Sequence, residues 1–104
     1  MSGQDPSLMN ELNTRLETGT EYPKMYRVLL HNDHYTTMEF VVDVLMKVFH
    51  KTAAEAAKIM LDVHRGGQGT CGVYIRDIAV TKVSHVQRLA REEGFPLRCS
   101  CEET

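Results

Sequence analysis

Residues 29–42 read LLHNDHYTTMEFVV, in which an apolar segment, a polar corner and a second apolar segment follow one another directly. Asn and Asp favour turns because their side chains hydrogen-bond the backbone two residues further on. Thr36 and Glu39 have the spacing of a capping box, which predicts the start of a helix. The stretch therefore predicts a strand, a rigid turn and a helix. A rigid polar corner beside an apolar helix face is a candidate binding site.

The chain has 104 residues and a formal net charge of −2, with lysine and arginine scattered along it. This length predicts one small domain, and the charge pattern argues against nucleic-acid binding. The sequence lacks an apolar run long enough to cross a membrane and lacks the basic-then-apolar order of a secretory signal. We therefore expect a cytoplasmic protein with no membrane partner. Its cysteines, Cys71, Cys99 and Cys101, are odd in number and are expected to be reduced.

The first 22 residues are polar, with Leu8, Leu12 and Leu16 at helical spacing. We expect a flexible N-terminal arm over residues 1–22, followed by a single domain over residues 23–104. Two interpretations of the leucines remain open, either a solvated tail or a helical stripe that forms on a partner.

Hydrophobic periodicity and capping signals predict six elements after the arm. They are a strand over 24–31, a helix over about 37–50, a helix opened by a capping box at Thr52 and Glu55 and ended at Gly66-Gly67, a strand over 69–77, a helix over 79–93 and a strand over 97–102. Cys71, Val73 and Ile75 are predicted to share one face of the second strand. The order β-α-α-β-α-β indicates an α+β fold, a three-stranded antiparallel sheet with three helices on one face.

The run from His31 to Val41, HNDHYTTMEFV, resembles the signature of the ClpS family, adaptors that deliver N-degron substrates to the ClpAP protease. The likeness continues in the same order through Val63-His64 before the Gly-rich turn, Cys71-Gly72-Val73-Tyr74, Thr81-Lys82-Val83 and Gly-Phe-Pro-Leu at 94–97. One such motif alone is weak, whereas this series covers the chain from Tyr22 to Glu102 and is specific.

The resemblance implies a binding module without catalytic activity or a cofactor. Such a module would bind proteins whose first residue is Leu, Phe, Tyr or Trp and deliver them to the ClpA unfoldase of ClpAP. An alternative is a regulator that binds the unfoldase and alters substrate choice, with weak or narrowed N-degron binding. By the same resemblance, the N-terminal arm serves substrate handover.

The resemblance also assigns residues to three sets. The substrate α-amine is expected at Asn32, Asp33, His34 and His64. The side chain of the substrate's first residue is expected in a pocket lined by Thr36, Met38, Val41, Met60, Val63 and Leu97. The N-terminal domain of the unfoldase is expected to contact Asp77, Thr81 and Lys82.

The proposed ligand chemistry follows from the groups involved. An N-terminus offers an ammonium group beside a side chain, and several convergent acceptors select it over an internal amide. A neutral imidazole at His64 accepts a hydrogen bond, whereas a protonated one repels the ammonium, so binding is expected to weaken in acid. A narrow pocket excludes β-branched first residues, which carry a second heavy group on Cβ.

The sequence departs from the family pattern at three positions. His34 stands where relatives commonly have a second acid, which predicts weaker or narrower N-terminal recognition. Thr37 stands where relatives usually have proline at the first helical position, a change expected to affect stiffness more than contacts. Val80 stands where relatives usually carry an acid, within the expected partner surface.

Simpler roles and two other functional classes compete with this interpretation. His64 on its own fits a histidine that interacts with the carboxyl end of a helix. A metal site would draw on residues of ligand type, namely His31, His34, Cys71, Cys99 and Cys101. These residues lack the paired-cysteine spacing of structural zinc sites. Cys71 lies on an alternating strand without a nucleophile turn. Neither a metal ligand nor a catalytic residue is expected.

Overall fold

The computed structural model describes residues 22–104. The predicted arm over residues 1–22, with its three leucines, therefore lies outside the described residues except for Tyr22. The elements are β1 (Met25–His31), α1 (Met38–Lys47), α2 (Ala53–Gly66), β2 (Gln68–Ile75), α3 (Arg76–Glu93) and β3 (Arg98–Glu103). None of the helices in this part of the chain has both the length and the apolar content to span a membrane.

The three strands form one antiparallel sheet in the order β2-β1-β3. The central strand, β1, carries Val28 and Leu30 into the core, where both are fully buried. Val44 and Leu45 of α1, Ala56 of α2 and Val86 of α3 belong to the same buried cluster. The predicted α+β fold and element order are confirmed.

A β-bulge in β2 changes which residues face the core. Val28 pairs with Gly72 and Leu29 pairs with Thr70, so Cys71 is an extra residue on β2. An extra residue reverses the alternation beyond it. Cys71 is fully buried, but Val73 is 45% exposed. The predicted shared face of Cys71, Val73 and Ile75 is therefore wrong, and Tyr74 packs against the core instead.

The first helix begins one residue later than the predicted capping box requires. Thr37 is the N-cap, and its side chain accepts a hydrogen bond from the backbone N–H of Phe40 at 3.2 Å. The predicted capping box of Thr36 and Glu39 is wrong because the Thr36 hydroxyl donates to the Asp33 carboxylate instead. Thr37 therefore does not occupy the first helical position, and its hydroxyl provides the cap.

Both boundaries of α2 and the end of α3 agree with the sequence prediction, whereas the start of α3 does not. In the confirmed capping box, the Thr52 N–H donates to Glu55 Oε1 at 2.9 Å and the Glu55 N–H donates to Thr52 Oγ1 at 3.1 Å. Gly67 then ends α2 in a left-handed conformation with φ 88°. By contrast, β2 passes directly into α3 at Ile75, whose side chain makes no capping hydrogen bond. The helix predicted to start at residue 79 therefore starts at residue 76.

Candidate functional site

A cavity of about 510 Å³ opens between the corner after β1 and the facing helices α1 and α2. Its polar side is formed by the corner residues and by His64 near the end of α2. Its apolar side is formed by two side chains from each helix. The cavity thus combines hydrogen-bonding groups at one side with an apolar surface at the other, the general composition of a ligand site.

Hydrogen bonds to the Asp33 carboxylate hold the corner in its conformation. Asp33 Oδ1 accepts hydrogen bonds from the backbone N–H groups of Tyr35, at 2.8 Å, and of Thr36, at 2.7 Å. Asp33 Oδ2 accepts from Thr36 Oγ1 at 2.7 Å. Partial burial raises the pKa of Asp33, but these hydrogen bonds and the nearby His34 outweigh burial and hold the pKa below its ordinary value. The carboxylate therefore remains ionised beside the cavity.

A backbone hydrogen bond joins the corner to the end of α2. The N–H of Asn32 donates to the carbonyl oxygen of Gly67 at 2.9 Å. Because His64 lies in the last turn of α2, three residues before Gly67, this bond brings the corner to the same cavity. Asn32 and His64 are both exposed, so their side-chain polar atoms are open to a ligand.

The apolar side has a buried floor and more exposed side chains above it. Val41 of α1 and Val63 of α2 are 6% and 3% exposed and form the floor. Met38 is 44% exposed and Met60 is half-buried. Methionine side chains are flexible and polarisable, so these two suit guests of different shape.

The position of α2 against the sheet depends on a glycine. A Cβ atom at Gly69 would lie 2.8 Å from Val63 Cγ2 and 3.1 Å from the backbone oxygen of Ile59. Only glycine lets β2 approach α2 this closely without displacing it. Gly69 therefore helps to place the floor of the cavity.

The structure brings together nearly all the residues predicted for substrate binding. The four expected at the α-amine and five of the six expected around the side chain line this one cavity, namely Asn32, Asp33, His34, His64, Thr36, Met38, Val41, Met60 and Val63. Leu97, the sixth, packs within the core cluster and does not line the cavity.

Sequence reasoning missed three residues that also line the cavity, Tyr35, Thr37 and Glu39. Tyr35 and Thr37 lie in the segment between β1 and α1, directly beside residues predicted for the site. Their position in the sequence was the signal that could have identified them. Glu39 has the spacing of a capping box with Thr36, and this local pattern gives no sign of its position at the cavity.

The predicted partner residues lie at the start of α3. The hydroxyl of Thr81 donates to the backbone oxygen of Asp77 at 2.8 Å, and Lys82 Nζ donates to the backbone oxygen of Val48 at 2.7 Å. Ile75, just before α3, pairs with Met25 at the start of β1, whereas the cavity follows the end of β1. The two predicted surfaces therefore lie towards opposite ends of the sheet.

Cys71 and Cys99 have the environment of core residues. Burial is the main cause that raises the pKa of the Cys71 thiol far above its ordinary range, and burial with the neighbouring Cys101 raises the pKa of Cys99 to about 12. Buried thiols that stay protonated are poor nucleophiles. Within residues 22–104, no three His, Cys, Asp or Glu side chains group closely enough to hold a metal ion.

Comparison with known proteins gives consistent matches along the chain. The family profile described as "ATP-dependent Clp protease adaptor protein ClpS" matches residues 21–100. A protein named ATP-dependent Clp protease adapter protein ClpS from Syntrophus aciditrophicus is 61% identical over 93 residues, covering 89% of this chain and 87% of that protein. One of the same name from Desulforapulum autotrophicum is 50% identical over 103 residues, which is 99% of each chain.

A solved structure has a similar fold. It is described as the structure of Agrobacterium tumefaciens ClpS2 bound to L-phenylalaninamide, with a TM-score of 0.78 and 41% sequence identity. The match covers 80% of this chain and all of that chain.

Proposed function

We propose, because this chain belongs to the ClpS family of ATP-dependent Clp protease adaptor proteins, that it binds proteins through a bulky hydrophobic N-terminal residue and delivers them to a ClpA-type unfoldase. The observation that carries this proposal is the pairing of acceptor groups and an apolar floor in one cavity. The ligand of the Agrobacterium structure has matching chemistry. Phenylalaninamide carries a free α-amine and a benzyl side chain, and its carboxyl group is blocked as it is in a peptide.

The α-amine would be held at the polar side of the cavity. An ammonium group has three N–H donors, and the Asn32 side-chain oxygen and a neutral His64 nitrogen are acceptors of the required type. Asp33 already accepts three hydrogen bonds within the corner. Its proposed contribution is therefore mainly the negative charge that it places beside the ammonium.

The first side chain would lie between Met38 and Val41 on one side and Met60 and Val63 on the other. We expect Leu, Phe, Tyr and Trp to be accepted, because these side chains branch only beyond Cβ. Thr36 would stand at the rim. Leu97 is left out of the proposed pocket because it does not line the cavity.

His34 lines the cavity where relatives commonly carry an acid, so this chain departs from the family pattern within the proposed binding site. A neutral His34 is still an acceptor, but a protonated one opposes the ammonium. We expect weaker recognition than in members with two acids. The alternative, a regulator that binds the unfoldase and alters substrate choice with weak or narrowed N-degron binding, is not favoured, because the cavity retains Asn32, Asp33 and His64.

The unfoldase would dock at the start of α3. Asp77 is exposed there, and Ile78 and Val80 are 46% and 47% exposed. Apolar side chains beside one carboxylate fit a partner surface that is itself partly apolar. We place this interaction in the cytoplasm, where free thiols such as the three cysteines stay reduced.

Degradation by reconstituted ClpAP tests the delivery function. The substrate is a folded reporter whose exposed N-terminus begins with Phe, and a matched reporter begins with Ala. Adding the adaptor should accelerate degradation of the Phe reporter and leave the Ala reporter unchanged. Equal effects on the two reporters, or no effect on either, would contradict the proposal.

A further inference from the structure

The ammonium group of Lys82 is engaged within its own domain. Nζ donates to the backbone oxygen of Val48 at 2.7 Å. It also lies 5.2 Å from the ring centroid of Tyr74 and 5.7 Å from that of Phe49, distances typical of cation–π contacts. One half-buried side chain of α3 thus contacts both β2 and the end of α1.

The oxygen that accepts this hydrogen bond belongs to the carboxyl end of α1. Val48 is the C-cap, and the left-handed His50 (φ 55°) follows it. The N–H of Lys51 returns to the carbonyl of Leu45 at 3.1 Å, which closes the helix. Carbonyl groups in a last helical turn lack partners within the helix and carry partial negative charge. The Lys82 ammonium supplies both a donor and a positive charge at this point.

The aromatic rings around Lys82 are placed by neighbouring residues. The ring centroids of Phe49 and Tyr74 are 6.5 Å apart. A Cβ atom at Gly72 would lie 2.5 Å from the Tyr74 hydroxyl oxygen, so the absence of a side chain at Gly72 leaves room for the ring. The position of the ammonium is therefore built by β2 and the end of α1 together.

Contacts with α3 and its following residues hold α1 near both of its ends. Near the start of α1, the ring centroids of Phe40 and Phe95 are 5.0 Å apart, and Phe95 follows α3 closely. At the other end, Val48 accepts the hydrogen bond from Lys82. A ten-residue helix is marginal without such packing, and its valines lower its helix propensity further.

We propose that Lys82 is a positioning residue for the substrate pocket. It holds the end of α1 in place, and α1 carries Met38 and Val41 to the cavity. This inference rests on the proposed function, and it gives Lys82 a role that does not require the unfoldase. Substitution of Lys82 should therefore weaken peptide binding even when the adaptor is alone.

The test compares three full-length variants by fluorescence anisotropy with a Phe-initiated peptide, without unfoldase and at a temperature where all are folded. Lys82→Met keeps an apolar stem over the rings but removes the charge and the donors. We expect its affinity to fall about fivefold, within the range of remote positional effects. Lys82→Arg should keep most of the affinity. Arg88→Met, an exposed change on the same helix, should match the wild type.

Unchanged affinity in Lys82→Met, or equal losses in Lys82→Met and Lys82→Arg, would overturn the inference. If Lys82→Met does not fold, Tyr74→Leu removes one ring of the same contact and should show a similar loss, and unchanged affinity there would also overturn it. If the wild type binds no peptide, the proposed function fails by itself. Amide hydrogen exchange then tests whether Lys82 holds α1 in place. Lys82→Met should exchange faster than the wild type throughout α1 but not in α2, and equal exchange rates in the two proteins would contradict the positioning role.

Discussion

The backbone N–H of Asn32 donates a 2.9 Å hydrogen bond to the carbonyl of Gly67, three residues after His64. This bond fastens the corner that follows β1 to the turn that ends α2. It places the two proposed amine acceptors, which are 32 residues apart in sequence, at one cavity. The relationship does not depend on either side chain, so each can be substituted without breaking it.

Removal of either acceptor should weaken binding of a free N-terminus. Asn32→Ala and His64→Ala should each lower the affinity for a Phe-initiated peptide at least about tenfold, because hydrogen bonds to charged groups are among the stronger ones. Isothermal titration calorimetry at neutral pH measures the change. His85→Ala, which alters a histidine on α3, is the matched control. Wild-type affinity in both cavity variants would place the amine elsewhere.

Restoring an acid at position 34 should strengthen binding. His34→Asp adds a negative charge to the cavity lining, and we expect a gain of about threefold for an exposed charge interaction. His34→Asn is the neutral control and should gain less. Competition among the wild type, His34→Asp and His34→Asn for one labelled peptide gives the ratio of their affinities directly. No gain, or a loss, with aspartate would refute the role assigned to this position.

The Asp33 carboxylate should stabilise the fold in a pH-dependent way. Its pKa in the folded protein lies below its ordinary value of 3.8, so its contribution is present above that value and is lost as pH falls through the folded pKa. Asp33→Asn should cost about 1 kcal/mol of unfolding free energy at pH 7. Urea unfolding from pH 7 to pH 3 should show the difference from wild type shrinking below pH 4. A constant difference would contradict the assignment.

A methyl group at position 69 should disturb the floor of the cavity. Gly69→Ala places Cβ against Val63 Cγ2 and the Ile59 backbone, so we expect a loss of about 1–3 kcal/mol of stability and weaker peptide binding. Gly66→Ala is the control, because a Cβ there meets nothing within 4 Å. Thermal unfolding and peptide titration of both variants test this. Equal behaviour of the two alanines would contradict the packing argument.

Sequence patterns identified the elements that have clear local signals. The β1 segment is a short apolar run, and the Thr52–Glu55 capping box and Gly67 mark both ends of α2. Most of the cavity lining followed from the family resemblance, because positions in a matched motif carry over directly. Periodicity alone gives Met38 and Val63 as ordinary core residues.

The errors arose where tertiary contacts replaced a local preference. Thr36 has the spacing of an N-cap, but Asp33 takes its hydroxyl, and Thr37 caps the helix. Strict alternation in β2 fails because the bulge at Cys71 is defined only by pairing with β1. The contacts of Lys82 with Val48 and Tyr74 could not be predicted, because they depend on packing between distant elements, and its place at the partner surface stays a prediction.

The most direct test of the account is fluorescence-anisotropy binding of one labelled Phe-initiated peptide with a free or an acetylated N-terminus. Peptides starting with Leu, Tyr, Trp, Ile and Met extend the comparison. We predict that the free-amine Phe and Leu peptides bind, that the Ile peptide binds more weakly, and that acetylation abolishes binding. Equal binding of the free and acetylated Phe peptides, or binding of neither, would contradict recognition of the α-amine at this cavity.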